Sequence, residues 1–480
     1  MKDIGSSASS SSSPMINETM YANFDNDLSE VVCDKIKITE TEDNFDAFYV
    51  ADMGDIVRKH KIWKALLPRV QPFYAVKCND NAEVLKVLAK LGTGFDCASK
   101  GEIQKVLDLG VSSDRIIYAN PCKQSSHIKY AARHHVEFMT FDNETELLKV
   151  KEYHPNAKLV VRILPPASDK CQCELGMKFG CHLKHVAKLL QLAKKLELDV
   201  IGVSFHVGSG CYDSNAYLSA VKSAHEVFSV AHSEGFQFNL LDIGGGFPGQ
   251  PNAKLSFNEI VDVLKPALDA LFPEESGVQI IAEPGRFFVA SAFTLAVSVI
   301  SSRQVPSEIQ GGEPSYMHYV NDGVYGSFNC ILFDHAEVEA LLPELKKYED
   351  QPLYQCSLWG PTCDGLDCII KDCRLPRLTT GDWLVFKDMG AYTMSAASCF
   401  NGMPKPKCYY FMKNVVMELL NDDAHDIVCC SLVANVAATT LILQPPLSSS
   451  PVNLMDYNFL KAGHNVDSPQ IDLSMVPLEI

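Results

Sequence analysis

Between residues 73 and 285 the chain repeats one pattern of apolar and polar positions. Short apolar or β-prone runs each end in a polar or glycine-bearing turn, and a stretch with helical spacing follows. The runs are 73–77, 94–99, 116–120, 138–142, 159–163, 201–207, 240–244 and 279–283, eight in all. The first five begin at 73, 94, 116, 138 and 159, so they are 21 or 22 residues apart; the last three are wider apart and leave room for longer loops. In 81–92, Val84, Leu88 and Leu91 share one helical face and Gly92 stands where a helix C-terminus favours it. Near-continuous apolar strands alternating with helices predict a parallel sheet covered on both sides. Eight such units predict a closed (β/α)8 barrel, with a doubly wound open sheet as the alternative that periodicity leaves open.

The texture changes near residue 290. Runs at 293–305, 317–320, 354–359 and 382–386 are separated by turn-rich segments, which predicts a second, mostly β domain. A strand at 35–38 is expected to join it from the N-terminal side. The expected organisation is a disordered segment 1–34, N-terminal strands of the β domain in 35–51, a barrel over 52–291, the β domain over 292–420 and a tail over 421–480. Residues 6–13 are nearly all serine, which points to disorder. The apolar stretch 427–443 is interrupted by Ser431, Asn435, Thr439 and Thr440 and falls short of the roughly 20 apolar residues of a membrane span.

Composition narrows the function. Of the 480 residues, 47% are hydrophobic and 21% charged, an ordinary globular mixture. The net charge of -17 argues against nucleic-acid binding, which needs a basic face, and mildly favours a cationic substrate. Seventeen cysteines without regular spacing read as reduced thiols of a cytoplasmic protein. Cys171 and Cys173 have no matching second pair, so no metal site is expected.

A barrel of this kind carries its site at the C-terminal ends of its strands. Those ends present Lys77, Asp96, Arg162, His206, Gly244 to Gly246 and Glu283, far apart in sequence but convergent in such a fold. Lys77 closes the apolar run Tyr74-Ala75-Val76-Lys77. Burial there would lower its pKa and free a nucleophilic amine; a lysine snorkelling to the surface is the other reading. Gly244-Gly245-Gly246 offers backbone N–H groups to a phosphate, although tight turns use glycine for steric reasons too. Glu283-Pro284-Gly285-Arg286 supplies both a carboxylate for a pyridinium nitrogen and a cation for a phosphate, or else a surface ion pair. His206-Val207-Gly208-Ser209-Gly210 adds an aromatic face and a hydroxyl, and Cys363 with Asp364 and Asp367 joins a thiol to two carboxylates in a glycine turn.

On these residues the chain resembles the eukaryotic ornithine decarboxylases from about residue 35 to about residue 420. The resemblance is carried by Tyr74-Ala75-Val76-Lys77-Cys78-Asn79, Phe95-Asp96-Cys97-Ala98-Ser99, the His206 and Gly244 motifs, Glu283-Pro284-Gly285-Arg286 and Trp359-Gly360-Pro361-Thr362-Cys363-Asp364. It implies an alanine-racemase-like barrel plus β domain and a pyridoxal 5'-phosphate cofactor. The implied activity is decarboxylation of L-ornithine to putrescine and CO2, the first step of polyamine synthesis. In the implied roles Lys77 forms the Schiff base, Glu283 holds the ring nitrogen protonated and His206 stacks on the ring. Asp96 and Arg162 belong to the same cofactor set. Ser209, Gly246, Pro284, Gly285, Arg286 and Tyr392 surround the cofactor and its phosphate. Phe333, Asp334 and Asp364 meet the substrate, the two aspartates taking its distal ammonium, and Cys363 returns a proton. The family shares its sites across a homodimer interface, where Lys178 and Asp367 resemble a bridging pair and Gly390 a point of close packing. Residues 119–150, including Lys123, Lys129 and Arg133, resemble the antizyme-binding region. Phe333 replaces a common tyrosine, and Gly176 a common serine. The rival readings are an antizyme inhibitor, which resembles the enzyme without decarboxylating, and a same-fold decarboxylase of lysine or arginine.

Overall fold

A computed structural model describes residues 20–21, 28–166, 171–173, 178–306 and 312–412. Gly176 and the segment 427–443 lie outside the described residues. Eight parallel strands close a barrel in chain order: Val70–Ala75, Gly94–Cys97, Ile116–Tyr118, Phe138–Phe141, Lys158–Arg162, Asp199–Ser204, Leu240–Asp242 and Gln279–Ala282. Each overlaps one of the eight predicted runs. The closed order excludes the open sheet, because Gln279–Ala282 pairs with both Leu240–Asp242 and Val70–Ala75.

The helices between strands start at polar caps that the sequence places directly after the strand ends. The Asn81 side chain accepts from Glu83 and Val84 at the head of Ala82–Lys90, and Ser99 and Asn143 cap Lys100–Leu107 and Glu144–Tyr153. Each such cap contributes about 0.5–2 kcal/mol. Ser256 and Glu259 form a reciprocal capping box at Phe257–Leu271.

Strand alternation sorts the barrel residues into two sets. Phe73, Ile117, Val160, Leu240 and Ile281 form an apolar cluster of their own inside the barrel. Their neighbours in sequence, Tyr74, Ile116, Val161, Leu241 and Ala282, belong to the main core between sheet and helices. Two residues beyond the inner apolar set, on the same inward face, come Arg162, Asp242 and Glu283, with Asp96 and Ser204 in the same layer. The barrel therefore has an apolar floor and a buried polar layer above it. Asp96 Oδ1, Ser204 Oγ, Asp242 Oδ2 and Glu283 Oε1 are all buried there without a donor or acceptor among the described residues. So many polar atoms left unmatched are costly unless something completes them.

The second sheet is mostly antiparallel. Phe293–Val305 is its spine: its first half pairs with Phe48–Asp52 and Trp383–Phe386, its second with Ser315–Val320. Tyr354–Trp359 and Cys368–Leu375 extend one side and Lys407–Phe411 the other. The strand expected at 35–38 is instead part of the helix Leu28–Thr41, which also turns residues 28–34 from expected disorder into structure. Val31, Val32, Lys35, Ile36 and Thr39 are its buried residues, a spacing of four that fits a helix and not a strand. The N-terminal strand of this sheet is Phe48–Asp52. No described helix is long and apolar enough to cross a membrane.

Candidate active site

The pocket at the C-terminal end of the barrel is lined by Ala75, Lys77, His206, Ser209, Gly210, Gly246, Glu283, Gly285, Arg286 and Tyr392. Lys77 sits in the single turn Val76–Cys78 just past its strand, not in the strand itself. Its side chain, 42% exposed, opens into this pocket, and its Nζ donates to the fully buried Asp96 carboxylate. Burial pulls the amine's pKa down, but Asp96 and then Glu283 outweigh it and hold Lys77 protonated. That corrects the expectation that burial alone frees the amine. A buried carboxylate partner reverses the sign of the effect.

His206 is half-buried, and its pKa is driven well below the usual value by desolvation and by the cations Arg162 and Lys77. The ring is neutral, and its Nδ1 accepts from the Gly208 N–H at 3.0 Å, which fixes its orientation. Arg162 is 6% exposed and belongs to the polar layer beneath the pocket, outside the residues that line it. Glu283 is held well above the carboxylate range, first by burial and then by Asp242 and Asp96.

The phosphate-type groups come from three loops. Gly246 has φ +104°, and a Cβ there would stand 2.5 Å from the Gly208 carbonyl oxygen, so only glycine lets the two turns approach. Gly285 follows Pro284, whose carbonyl accepts from Ala75 N–H at 3.3 Å and ties this turn to the Lys77 strand. Arg286 donates to Ser209 Oγ at 3.0 Å and lies over the Tyr392 ring at 5.1 Å. Tyr392 itself has φ +55°, a strained conformation for a bulky residue. Its N–H bond to Cys78 O at 2.9 Å helps hold it.

The β-domain residues are placed differently. Asp334 is 5% exposed, and both its oxygens receive Arg286 Nη2, at 2.7 and 2.8 Å. Its carboxylate is therefore engaged with the same guanidinium that faces the phosphate loops, rather than standing open to an ammonium. Phe333 beside it is 72% exposed. Cys363 and Asp364 are not among the residues that line the pocket in their own chain. Cys363 is exposed, and its N–H donates to Asn401 Oδ1 at 3.0 Å. Asp364 accepts from Tyr325 Oη, which lowers its pKa, and Tyr325 stacks on Phe400 at 4.4 Å.

Three further residues named from the resemblance make contacts within their own chain. Asp367 is 1% exposed, and its carboxylate accepts from Val324 N–H, Thr362 N–H and Thr362 Oγ1. It braces the Cys363 turn from inside its own chain. Gly390 approaches its own chain's Val289 carbonyl, 1.7 Å from where a Cβ would lie, so an intrachain contact already accounts for the glycine. Lys123 is buried against Glu146 at 2.8 Å, whereas Lys129 and Arg133 are exposed on the helix Ser125–Arg133.

Sequence reasoning gave no role to Asp242, Tyr325 or Asn401. Asp242 was legible in principle: it follows Leu240 and Leu241 and falls on the inward face. Tyr325 and Asn401 become relevant only through tertiary contacts. A larger cavity of about 530 Å³ opens at the other end of the barrel. Its arginines are already used by the chain: Arg69 binds Asp269 and the Phe272 carbonyl, and Arg115 the carbonyls of Ala89 and Thr93.

The family described as "Pyridoxal-dependent decarboxylase, pyridoxal binding domain" matches residues 53–290. Ornithine decarboxylase of Mus musculus is 56% identical over 398 residues, which cover 82% of this chain and 86% of that protein. Antizyme inhibitor 2 of Xenopus laevis is also 56% identical, over 391 residues, covering 80% and 85%. The crystal structure of the Paramecium bursaria Chlorella virus arginine decarboxylase is 37% identical and superposes with a TM-score of 0.74, covering 80% of this chain and all of that one.

Proposed function

The chain belongs to the pyridoxal-phosphate-dependent ornithine, arginine and lysine decarboxylases of alanine-racemase-like fold, and on that premise we propose that it converts L-ornithine to putrescine and CO2. The observation that carries this reading is the convergence of Lys77, His206, Glu283 and Arg286 on one pocket, in a chain 56% identical to a mammalian ornithine decarboxylase. Pyridoxal phosphate fits what the pocket leaves unmatched. Glu283 Oε1 and Arg286 Nε are buried without partners among the described residues, one suited to a ring N–H and the other to an oxyanion. When bound, the cofactor supplies an electron sink for the pair released as the carboxylate leaves.

The remaining work falls to the chain's own side chains. Lys77 must lose a proton before its amine can attack, and Asp96 is the carboxylate positioned to receive it. Glu283 would stand as the carboxyl partner of the ring nitrogen. The neutral His206 ring offers an aromatic face without adding charge. Ser209, Gly246, Gly285, Arg286 and Tyr392 would hold the cofactor's phosphate. Cys363 carries the proton returned to the α-carbon.

Cys363 and Asp364 serve a second copy's pocket. Leu332, Phe333, Leu366 and Phe400, all large and exposed apolar side chains, cluster in sequence around Asp334, Asp364 and Asn401, as a homodimer interface would require. Lys129 and Arg133 offer a basic helical face to an antizyme-type partner, a reading supported by the likeness to antizyme inhibitor 2.

The two aspartates are expected to separate. Asp364→Asn should lower kcat/KM for ornithine about tenfold or more with cofactor occupancy unchanged, because its carboxylate bonds to Tyr325 and Leu366 and to none of the residues that line the cofactor pocket. Asp334→Asn should lower kcat/KM and also weaken cofactor retention, since Arg286 loses the carboxylate that holds it. Steady-state kinetics beside cofactor content after dialysis check both. Unchanged ornithine turnover in both variants would remove the residue-level reason for naming ornithine.

The overall reading is tested by CO2 release from L-ornithine, L-lysine and L-arginine with cofactor present. Ornithine is expected to be turned over fastest. Faster release from lysine or arginine would reassign the substrate. No release from any of them, with cofactor bound, would favour the antizyme-inhibitor reading.

A further inference from the structure

Asp242 and Glu283 bring two carboxylates together inside the barrel, within hydrogen-bonding reach of each other. Asp242 is fully buried and Glu283 is 4% exposed. Asp242 Oδ1 accepts from the Gly244 N–H at 2.9 Å. Its Oδ2 and Glu283 Oε1 meet no N–H or O–H donor among the described residues. The backbone locks the pair in register, because Glu283 N–H donates to Gly244 O at 2.6 Å. Two facing carboxylate oxygens without a donor between them repel unless a proton lies there.

The surrounding charges lead to the same count. The groups that act electrostatically on the pair are Asp96 from the strand Gly94–Cys97, Lys77 after Val70–Ala75, and Arg162 at the end of Lys158–Arg162. His206, beyond Asp199–Ser204, is neutral. Among the described residues two cations face three carboxylates, so one carboxylate of the three has no counter-charge of its own.

We propose that Asp242 and Glu283 hold one proton between them, and that Asp242 is the neutral partner, a positioning residue whose hydroxyl donates to Glu283 and aims its carboxylate at the cofactor's ring nitrogen. The inference rests on the pyridoxal-phosphate reading of the site. Its geometry suits a neutral acid. Asp242 Oδ1 accepts from Gly244, which leaves Oδ2 as the oxygen free to carry the proton toward Glu283. Burial, the largest influence on both groups, acts in the direction that retains the proton; the bond to Glu283, the Gly244 N–H and Arg162 pull Asp242 the other way, while Asp242 and Asp96 push Glu283 higher still. An acid whose pKa is raised on folding binds its proton more tightly in the folded state, so the pair's contribution is lost as pH rises through its titration.

A carboxamide has the same shape as a neutral carboxylic acid, with an N–H in place of the O–H. Asp242→Asn should therefore bind pyridoxal phosphate within about threefold of the unaltered protein at neutral pH, measured by equilibrium dialysis of cofactor-stripped protein. The unaltered protein should lose affinity at alkaline pH by about tenfold per pH unit once the shared proton dissociates, and the asparagine variant should lack that step. Asp242→Leu removes the donor and should bind at least about tenfold more weakly. Because the leucine variant can fail to fold, infrared spectra of the unaltered stripped protein supply an independent readout. At neutral pH they should show the carbonyl stretch of a protonated carboxylic acid, shifted by 13C-labelled aspartate and absent from Asp242→Asn. Absence of that band from the unaltered protein overturns the proposal, as does an asparagine variant that binds more than about tenfold more weakly or keeps the alkaline step. Failure of the unaltered protein to bind pyridoxal phosphate at all would instead overturn the cofactor reading, while the infrared band would still report on the pair.

Discussion

Lys77→Ala is expected to abolish the covalent link to the cofactor and to reduce CO2 release from ornithine by at least about three decades, or roughly 4 kcal/mol of barrier. Lys77 is the single amine lining the described pocket. Borohydride reduction of the unaltered protein should fix the cofactor on Lys77, located by peptide mass mapping, and the alanine variant should incorporate none. Trapping on another lysine would overturn the assignment. The substitution also strips the fully buried Asp96 of its donor, so some loss of stability is expected. The sign can be checked by pH. The raised pKa of Lys77 means that its contribution is present throughout the neutral range and is lost only in alkaline solution. Melting temperatures of the two proteins should therefore converge as pH rises. Lys77→Arg separates chemistry from charge: a guanidinium pairs with Asp96 but cannot replace the amine as nucleophile, so this variant should be about as inactive yet closer to normal stability.

Mixing inactive Lys77→Ala subunits with inactive Cys363→Ala subunits is expected to restore about a quarter of the normal activity. With free exchange and equal amounts, half of the dimers are mixed, and each mixed dimer has one site with both residues intact, out of two. The expectation follows from placement. Lys77 lines the pocket, whereas Cys363 is exposed and lies outside the residues that line the pocket of its own chain. Asp367, buried and bonded to Val324 and Thr362, holds the Cys363 turn rigid, so the thiol is presented outward in a fixed position. The measurement is CO2 release during mixing, with exchange followed by a mass tag. Complete exchange without recovered activity would mean that each subunit completes its own site.

How far the sequence reaches depends on the range of the interaction involved. The eight barrel strands were legible because alternating burial leaves a local imprint: Phe73, Val160 and Leu240 face inward, and their neighbours face the helices. The placement of Lys77, His206, Glu283 and Arg286 followed once strand ends were known to converge. The helix Leu28–Thr41 was misread because 35–38 is too short to distinguish a period of two from one of nearly four; the burial of Val31, Ile36 and Thr39 resolves it. Charge states were the least legible. Local sequence says only that Lys77 is near apolar residues, which predicts a lowered pKa. Asp96, 19 residues away, reverses that. Likewise nothing within the turn containing Asp334 reveals its pairing with Arg286, 48 residues earlier, or the pairing of Asp242 with Glu283. Local residue patterns determined the element types and which side chains could reach a common face. Which carboxylate met which cation, and where the protons reside, was decided only by tertiary structure, because electrostatic energies depend on distance and burial in space rather than on separation along the chain.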